Sequence, residues 1–327
     1  MLGTYRTILA LMVVLAHTAV SHVGIASVFG FYVLSGYLMT AACRGVYRGR
    51  IGAFCANRLL RIYPCHITCL ALAATVLMLG GEPRFGTEQV PQTTIDWLRN
   101  IFLIDVRSGA RLNPVTWTIM VELVFYCLIP FVAVTRERLA WWLVVSAALW
   151  LLSDSEKLYT FAGASLPFAL GALITYMPRL RPMQVSWLVG ASLTGMAILY
   201  SAIVSGTKHD LVSLWVLPLI CMQALAVWGL SHIPRQAWDD RIGEHSYPIY
   251  LAHGSVLCIL TAIPFFDFAD GYQKHWAMFF AALALVVPLS FALVHLVERP
   301  ISSLRAQVRA FRAQADPKDL RLPLHRA

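Results

Sequence analysis

The stretch "YRTILALMVVLAH", residues 5–17, decides the fold. It is an apolar run that opens on Arg6 and carries His17 near its end. Moving outward, "SHVG" (21–24) separates it from a second run, "GIASVFGFYVLSGYLMTAA" (24–42). Two such runs with a tight turn between them read as a pair of membrane helices, and the pattern recurs along the chain. Apolar runs at 5–22, 24–42, 63–80, 113–134, 139–152, 158–177, 184–204, 211–230, 246–264 and 275–297 alternate with short polar connections. The run at 139–152 is short for a full span. The expectation is an all-α membrane protein, a bundle of about ten transmembrane helices over residues 1–300, with a basic tail at 301–327.

Composition agrees. Of the 327 residues, 58% are hydrophobic and only 13% charged, about half the charge of a soluble domain. The mean hydropathy of +0.66 leaves little room for a second soluble unit. The net charge of +9 follows from the connections. With the N-terminus placed inside, the cytoplasmic segments hold eighteen Lys/Arg against seven outside. That bias puts both termini in the cytoplasm. No aromatic-interleaved basic patch points to nucleic acid. The seven cysteines form no CxxC and lie mostly in apolar runs, so neither a disulfide framework nor a metal site is expected. The N-terminal run lacks a cleavage site of the A-x-A type and reads as a retained signal-anchor helix. The stretch 81–112 is the longest external connection, with room for a short interfacial helix. The tail, weakly amphipathic through Leu304, Val308 and Phe311, suits the anionic inner leaflet.

A polar residue within an apolar span needs a task or a partner. Arg6 and His17 are eleven residues apart, so they leave one face of a helix, roughly 16 Å apart along its axis. Taken singly, each has a bland reading: a snorkelling arginine and a histidine bonded to a neighbouring helix. In "NRLLRIYP" (57–64), Arg58 and Arg61 are neighbours at i and i+3, ahead of Pro64 at the entry to the third span. Paired guanidiniums suit phosphates, although positive-inside charge alone also explains them. Glu122 in "VTWTIMVELVFYCLIP" (115–130) is flanked by apolar residues and must pair, hydrogen-bond or hold a proton. In "HSYPIYLAH" (245–253), Ser246, Tyr250 and His253 form one stripe. His295, Glu298 and Arg299 cluster in "HLVERP" (295–300).

These pieces together resemble the acyltransferase-3 family of integral membrane O-acyltransferases. The matching segments are Arg6 with ten residues before His17, "FYVLSGYLM" (31–39), "RLLRIYP" (58–64), "WTIMVELVFY" (117–126), "SYPIYLAH" (246–253) and "VERP" (297–300). They occur in the family's order over nearly the whole chain. The first helix is shorter at its start than is common, and Tyr32 and Tyr37 stand where Phe is frequent. No appended hydrolase-like domain follows, which suggests an enzyme that completes transfer itself or hands the acyl group to a partner.

The resemblance implies transfer of an acyl group, often acetyl, from cytoplasmic acyl-CoA to a carbohydrate hydroxyl. The acceptor is an envelope or secreted polysaccharide or its lipid-linked precursor, the setting a bacterial inner membrane, and glycan-synthesis machinery a possible partner. The implied roles are His17 as general base and Glu122 as the second catalytic group. Arg6, Arg58 and Arg61 hold the donor's phosphates, while Ser35, Tyr126, Tyr250 and His253 contact substrate. Direct transfer and a covalent acyl-His17 intermediate both fit. The alternative from another class is a proton-coupled small-solute transporter with His17, Glu122 and His253 as a relay, although no internal repeat supports it. An intramembrane serine protease lacks its motif around Ser35. A metal-dependent glycosyltransferase lacks a D-x-D, with only Asp239-Asp240 and Asp267/Asp270 on offer.

Overall fold

The computed structural model describes residues 1–20, 23–104, 108–153, 160–205, 209–266 and 276–310. The turn residues 21–22, the tail from 311, and Arg107, Lys157, Lys208, Asp267, Asp270 and Lys274 lie outside the described residues. The described chain is helical: α1 (Leu2–Thr18), α2 (Val23–Arg44), α3 (Ile51–Met78), α4 (Thr94–Phe102), α5 (Trp117–Val132), α6 (Arg136–Leu152), α7 (Phe161–Ile174), α8 (Pro182–Ser205), α9 (His209–Leu230), α10 (Ala237–Glu244), α11 (Ser246–Thr261), α12 (Trp276–Leu293) and α13 (Arg299–Ala310). Among the described residues the sole extended pairing is an isolated bridge between Glu88 and Arg111.

Each apolar run of the sequence coincides with a helix. Five helical stretches among the described residues are long and apolar enough to cross a bilayer: Val23–Arg44, Ile51–Met78, Pro114–Val132, Pro182–Ala202 and Trp276–Ala310. Large apolar side chains face outward, among them Trp141, Leu151, Leu152, Met183, Trp187 and Phe280. Such an exterior has no place in water and fits lipid.

The largest departure from the expected boundaries is α3. It begins at Ile51, so Arg58 and Arg61 ride on the helix and Pro64 lies inside it rather than at its entry. The connection 81–112 does carry a short helix, α4. Thr93 caps it by accepting from the Asp96 N–H, and Leu103 ends it in the left-handed region.

Buried rings fill the centre. Phe168 of α7 stacks between Tyr32 of α2 and Phe125 of α5, at 5.0 and 4.4 Å between ring centroids, and Trp142 of α6 stacks on Phe125. The Trp142 indole N–H donates to Ser165 Oγ, which is 2.7 Å from Ser146 Oγ, so these three side chains satisfy one another. α2 and α7 cross with backbones in contact. A Cβ at Gly36 would overlap the Phe168 carbonyl, and one at Gly171 would overlap the Val33 carbonyl. Small residues at such crossings substitute for the hydrophobic drive that lipid removes.

Candidate active site

A cavity of about 480 Å³ opens between α1, α2, α3, α5 and α11, within the usual range for small-molecule sites. α2 lines it with Val28, Phe31, Ser35 and Met39, a single helical stripe. The eleven steps from Val28 to Met39 give a depth of roughly 16 Å. Arg6, Arg58, Arg61, Arg235, Arg305 and Arg309 also line it. Arg58 Nη1 lies 3.4 Å from Met39 Sδ, which puts the arginines at the Met39 end and leaves Val28 and Phe31 at the other.

The arginine end is built by close packing of α10 and α13 on α1 and α3. Asp239 of α10 caps α1, accepting from the Gly3 and Thr4 N–H groups and from Thr4 Oγ at 3.0, 2.8 and 2.7 Å. Burial works against its charge, but these bonds outweigh burial and hold the Asp239 carboxyl well below its ordinary value. Gly243 packs on Gly3, and its carbonyl accepts from Arg6 Nη2, which fixes that guanidinium. Arg61 pairs with the buried Glu298. Arg235 pairs with Asp240 and Glu244 with Arg299. Among the described residues, Arg6, Arg58 and Arg309 have no carboxylate within ion-pair distance. The buried Nε atoms of Arg6, Arg58 and Arg305 have no hydrogen-bond partner. Buried donors left unpaired at a positively charged wall are the complement of a polyanion.

Midway down, Glu122 accepts from Ser35 Oγ on one oxygen and from Tyr126 Oη on the other, each at 2.9 Å. Arg6 and Arg58 act on its charge from the arginine end. Tyr250 Oη is 2.7 Å from Thr118 Oγ and donates to the Val115 carbonyl. Seven of the nine expected site residues therefore share one cavity: Arg6, Arg58, Arg61, Ser35, Glu122, Tyr126 and Tyr250.

His17 and His253 are not among its lining residues. They stand beyond its Phe31 end, in a ring-to-ring series. Phe31 meets Tyr250 at 5.7 Å, Tyr250 meets His253 at 5.7 Å, and His253 stacks on His17 at 5.5 Å with planes 12° apart. His253 is fully buried. Its Nδ1 is 2.6 Å from the Tyr250 carbonyl, so Nδ1 carries the proton and Nε2 is left as a buried acceptor without a partner. Phe85 sets its edge against the other side of His17, at 4.6 Å.

Several residues of this region escaped the sequence reading. Arg84 donates through Nε and Nη2 to the His17 carbonyl, although it reads as an ordinary external charge. Glu88, 2% exposed, folds the loop beneath Phe85 by accepting from the N–H groups of Arg84, Phe85 and Thr87. Glu298, read in one cluster with His295 and Arg299, pairs with Arg61; a π-helical turn spans Val294–Glu298, and His295 lies beside Arg299. Arg305 and Arg309 sat in what read as a surface tail, and their i, i+4 spacing was the available signal. Among the described residues, no group of His, Cys, Asp and Glu is placed to hold a metal.

Comparison with known proteins gives the family. The family described as the acyltransferase domain of acyltransferase 3 matches residues 4–295. A protein named as a membrane-bound transacylase, BcsY of Komagataeibacter xylinus, is 25% identical over 88% of this chain and 79% of its own length. The acyltransferase MdmB of Streptomyces mycarofaciens is 22% identical over 92% of this chain and 87% of its own. No solved structure matches. With a family match over nearly its whole length and an apolar helical body around a polar cavity, this chain is a membrane acyltransferase and belongs to the acyltransferase-3 family.

Proposed function

We propose that the protein moves an acyl group, acetyl in the simplest case, from cytoplasmic acyl-CoA to a carbohydrate hydroxyl. It does so across a ten-span bundle of a bacterial inner membrane, with both termini inside. The observation that carries this reading is the set of unpaired arginine donors at one end of a cavity about 16 Å deep. CoA is multiply anionic and carries its thioester on a long, thin arm. Arg6, Arg58 and Arg61 bind the phosphates, and the arm runs past Glu122 toward Phe31 and Tyr250. The eighteen-to-seven Lys/Arg bias supports placing the arginine end in the cytoplasm.

At the far end the acceptor hydroxyl gives its proton to His17 as its oxygen attacks the thioester carbonyl carbon. The O–C bond forms and the C–S bond breaks. The imidazolium then returns the proton to the departing thiolate, leaving an ester and free CoA. Phe31 and Tyr250 stand between the cavity and the imidazole pair, so the acyl end reaches His17 past these two rings. The free Nε2 acceptor of His253 suits the acceptor hydroxyl. Glu122, held by two hydroxyl donors, orients Ser35 and Tyr126 beside the arm.

The test is thiol release from radiolabelled acetyl-CoA by the purified protein in nanodiscs, with and without saccharides. Mass spectrometry of ester-linked acyl groups on envelope and secreted glycans, with and without the gene, complements it. Acceptor-dependent release and loss of an ester from one glycan are expected. Thiol release that no saccharide stimulates, with no glycan ester lost on deletion of the gene, would refute the carbohydrate acceptor.

A further inference from the structure

The acyltransferase match ends at residue 295, yet two of the six arginines lining the cavity lie beyond it, on α13. α13 is not a loose extension. Asn57 Nδ2 donates to the Arg305 carbonyl at 3.0 Å. The Arg50 guanidinium donates to the Arg309 and Val308 carbonyls at the helix's last turn, capping it. Arg50 is the residue that caps the start of α3, and Asn57 stands beside Arg58 and about one turn from Arg61.

This docking turns Arg305 and Arg309 into the cavity wall. Arg305 is 4.0 Å from Glu298, whose nearer partner is Arg61, so one carboxylate serves two guanidiniums. Arg61, Arg58 and Arg309 all act on Arg305 as like charges, and its buried Nε has no partner. A helix held by its backbone so that its arginines crowd other arginines gains nothing from that crowding until an anion arrives.

We propose that α13 is a clamp for the nucleotide end of the donor, with Arg305 and Arg309 binding the 3′-phosphate of CoA while Arg58 and Arg61 hold the diphosphate. This rests on the acyl-CoA reading above and adds a residue set and a specificity to it. A phosphate monoester carries up to two negative charges and three acceptor oxygens, which suits two guanidiniums i and i+4 on one helix.

The test uses the full-length protein in phosphatidylcholine nanodiscs, which offer no anionic headgroup to compete. Binding of CoA and of 3′-dephospho-CoA is measured by calorimetry. The wild type is expected to prefer CoA by roughly tenfold or more, the worth of a charge-assisted contact. Arg305→Gln with Arg309→Gln should weaken CoA to the level of dephospho-CoA, leave dephospho-CoA binding nearly unchanged, and so erase the preference. Arg305→Lys with Arg309→Lys should restore part of it, which a purely structural role for α13 would not do. Equal binding of the two ligands by the wild type, or a preference that survives the double glutamine change, would overturn the clamp and leave the acyl-CoA reading standing. Binding of neither ligand, with no acyl-CoA turnover, would overturn both.

Discussion

Replacing Glu122 by glutamine probes the middle of the cavity. The carboxylate takes one hydrogen bond on each oxygen, from Ser35 and from Tyr126. Glutamine keeps one acceptor oxygen and points an NH2 group at a hydroxyl that had been donating. Hydrogen bonds to a charged group contribute about 1.5–3 kcal/mol and neutral ones about 1 kcal/mol. Counting about 1 kcal/mol lost from each partner gives about 2 kcal/mol, or a fall of about 30-fold in kcat/KM. The side chains are nearly the same size, so thermal unfolding should shift little. Acyl transfer and unfolding are measured on the same nanodisc preparation. A double-mutant cycle with Ser35→Ala should show coupling of about 1 kcal/mol in the activity. Unchanged turnover, or a stability loss as large as the activity loss, would show that Glu122 only holds helices together. Strict additivity with Ser35→Ala would disprove the pairing as a functional unit.

Gly36→Ala puts a methyl group onto the Phe168 carbonyl. It should cost about 1–3 kcal/mol of stability by overpacking, read as a lower unfolding temperature in detergent; no change would mean α2 and α7 do not cross so closely. Arg61→Gln leaves Glu298 buried with only the 4.0 Å contact to Arg305. A loss of about 3 kcal/mol is expected, with Arg61→Gln/Glu298→Gln recovering most of it, and no recovery in the double variant would argue against the pair. Asp239 has a depressed folded pKa. Its contribution is therefore full above the unfolded carboxylate value of about 3.9 and shrinks as pH falls toward the folded value. Asp239→Asn should lower the unfolding temperature at pH 6 and flatten its decline between pH 5 and pH 3, roughly the window of an unfolded carboxylate; an unaltered acid limb would count against the cap.

The helices over the ten apolar runs were legible because each run is bounded by polar residues, a signal local to the chain, whereas the polar α10 and α13 carry no such run. The arginine wall was legible in part, because Arg6, Arg58 and Arg61 stand in recognisable spacing. What lay hidden depends on contacts between distant segments. Helical arithmetic put Arg6 and His17 on one stripe of α1, but not which neighbours that stripe meets. Arg6 meets α10 and the cavity, whereas His17 meets His253 and Phe85. Glu88 is buried because a loop wraps its own N–H groups around it, which charge patterning does not reveal. Glu298 was legible only as part of a cluster with His295 and Arg299; its pairing with Arg61 of α3 joins distant segments. Arg305 read as surface charge because its partial burial comes from docking on α3, and Arg309, still exposed, joins the cavity only through that docking.

The proposed chemistry rests on His17 accepting the proton of the acceptor hydroxyl at the far end of the donor's path. The direct measurement is steady-state acyl transfer by His17→Ala in nanodiscs, at saturating acceptor and varied acyl-CoA. Losing a general base should lower kcat by about 10²-fold or more, with KM for acyl-CoA and the unfolding temperature close to wild type. Full turnover by that variant, or a loss confined to KM for acyl-CoA, would contradict the proposed chemistry.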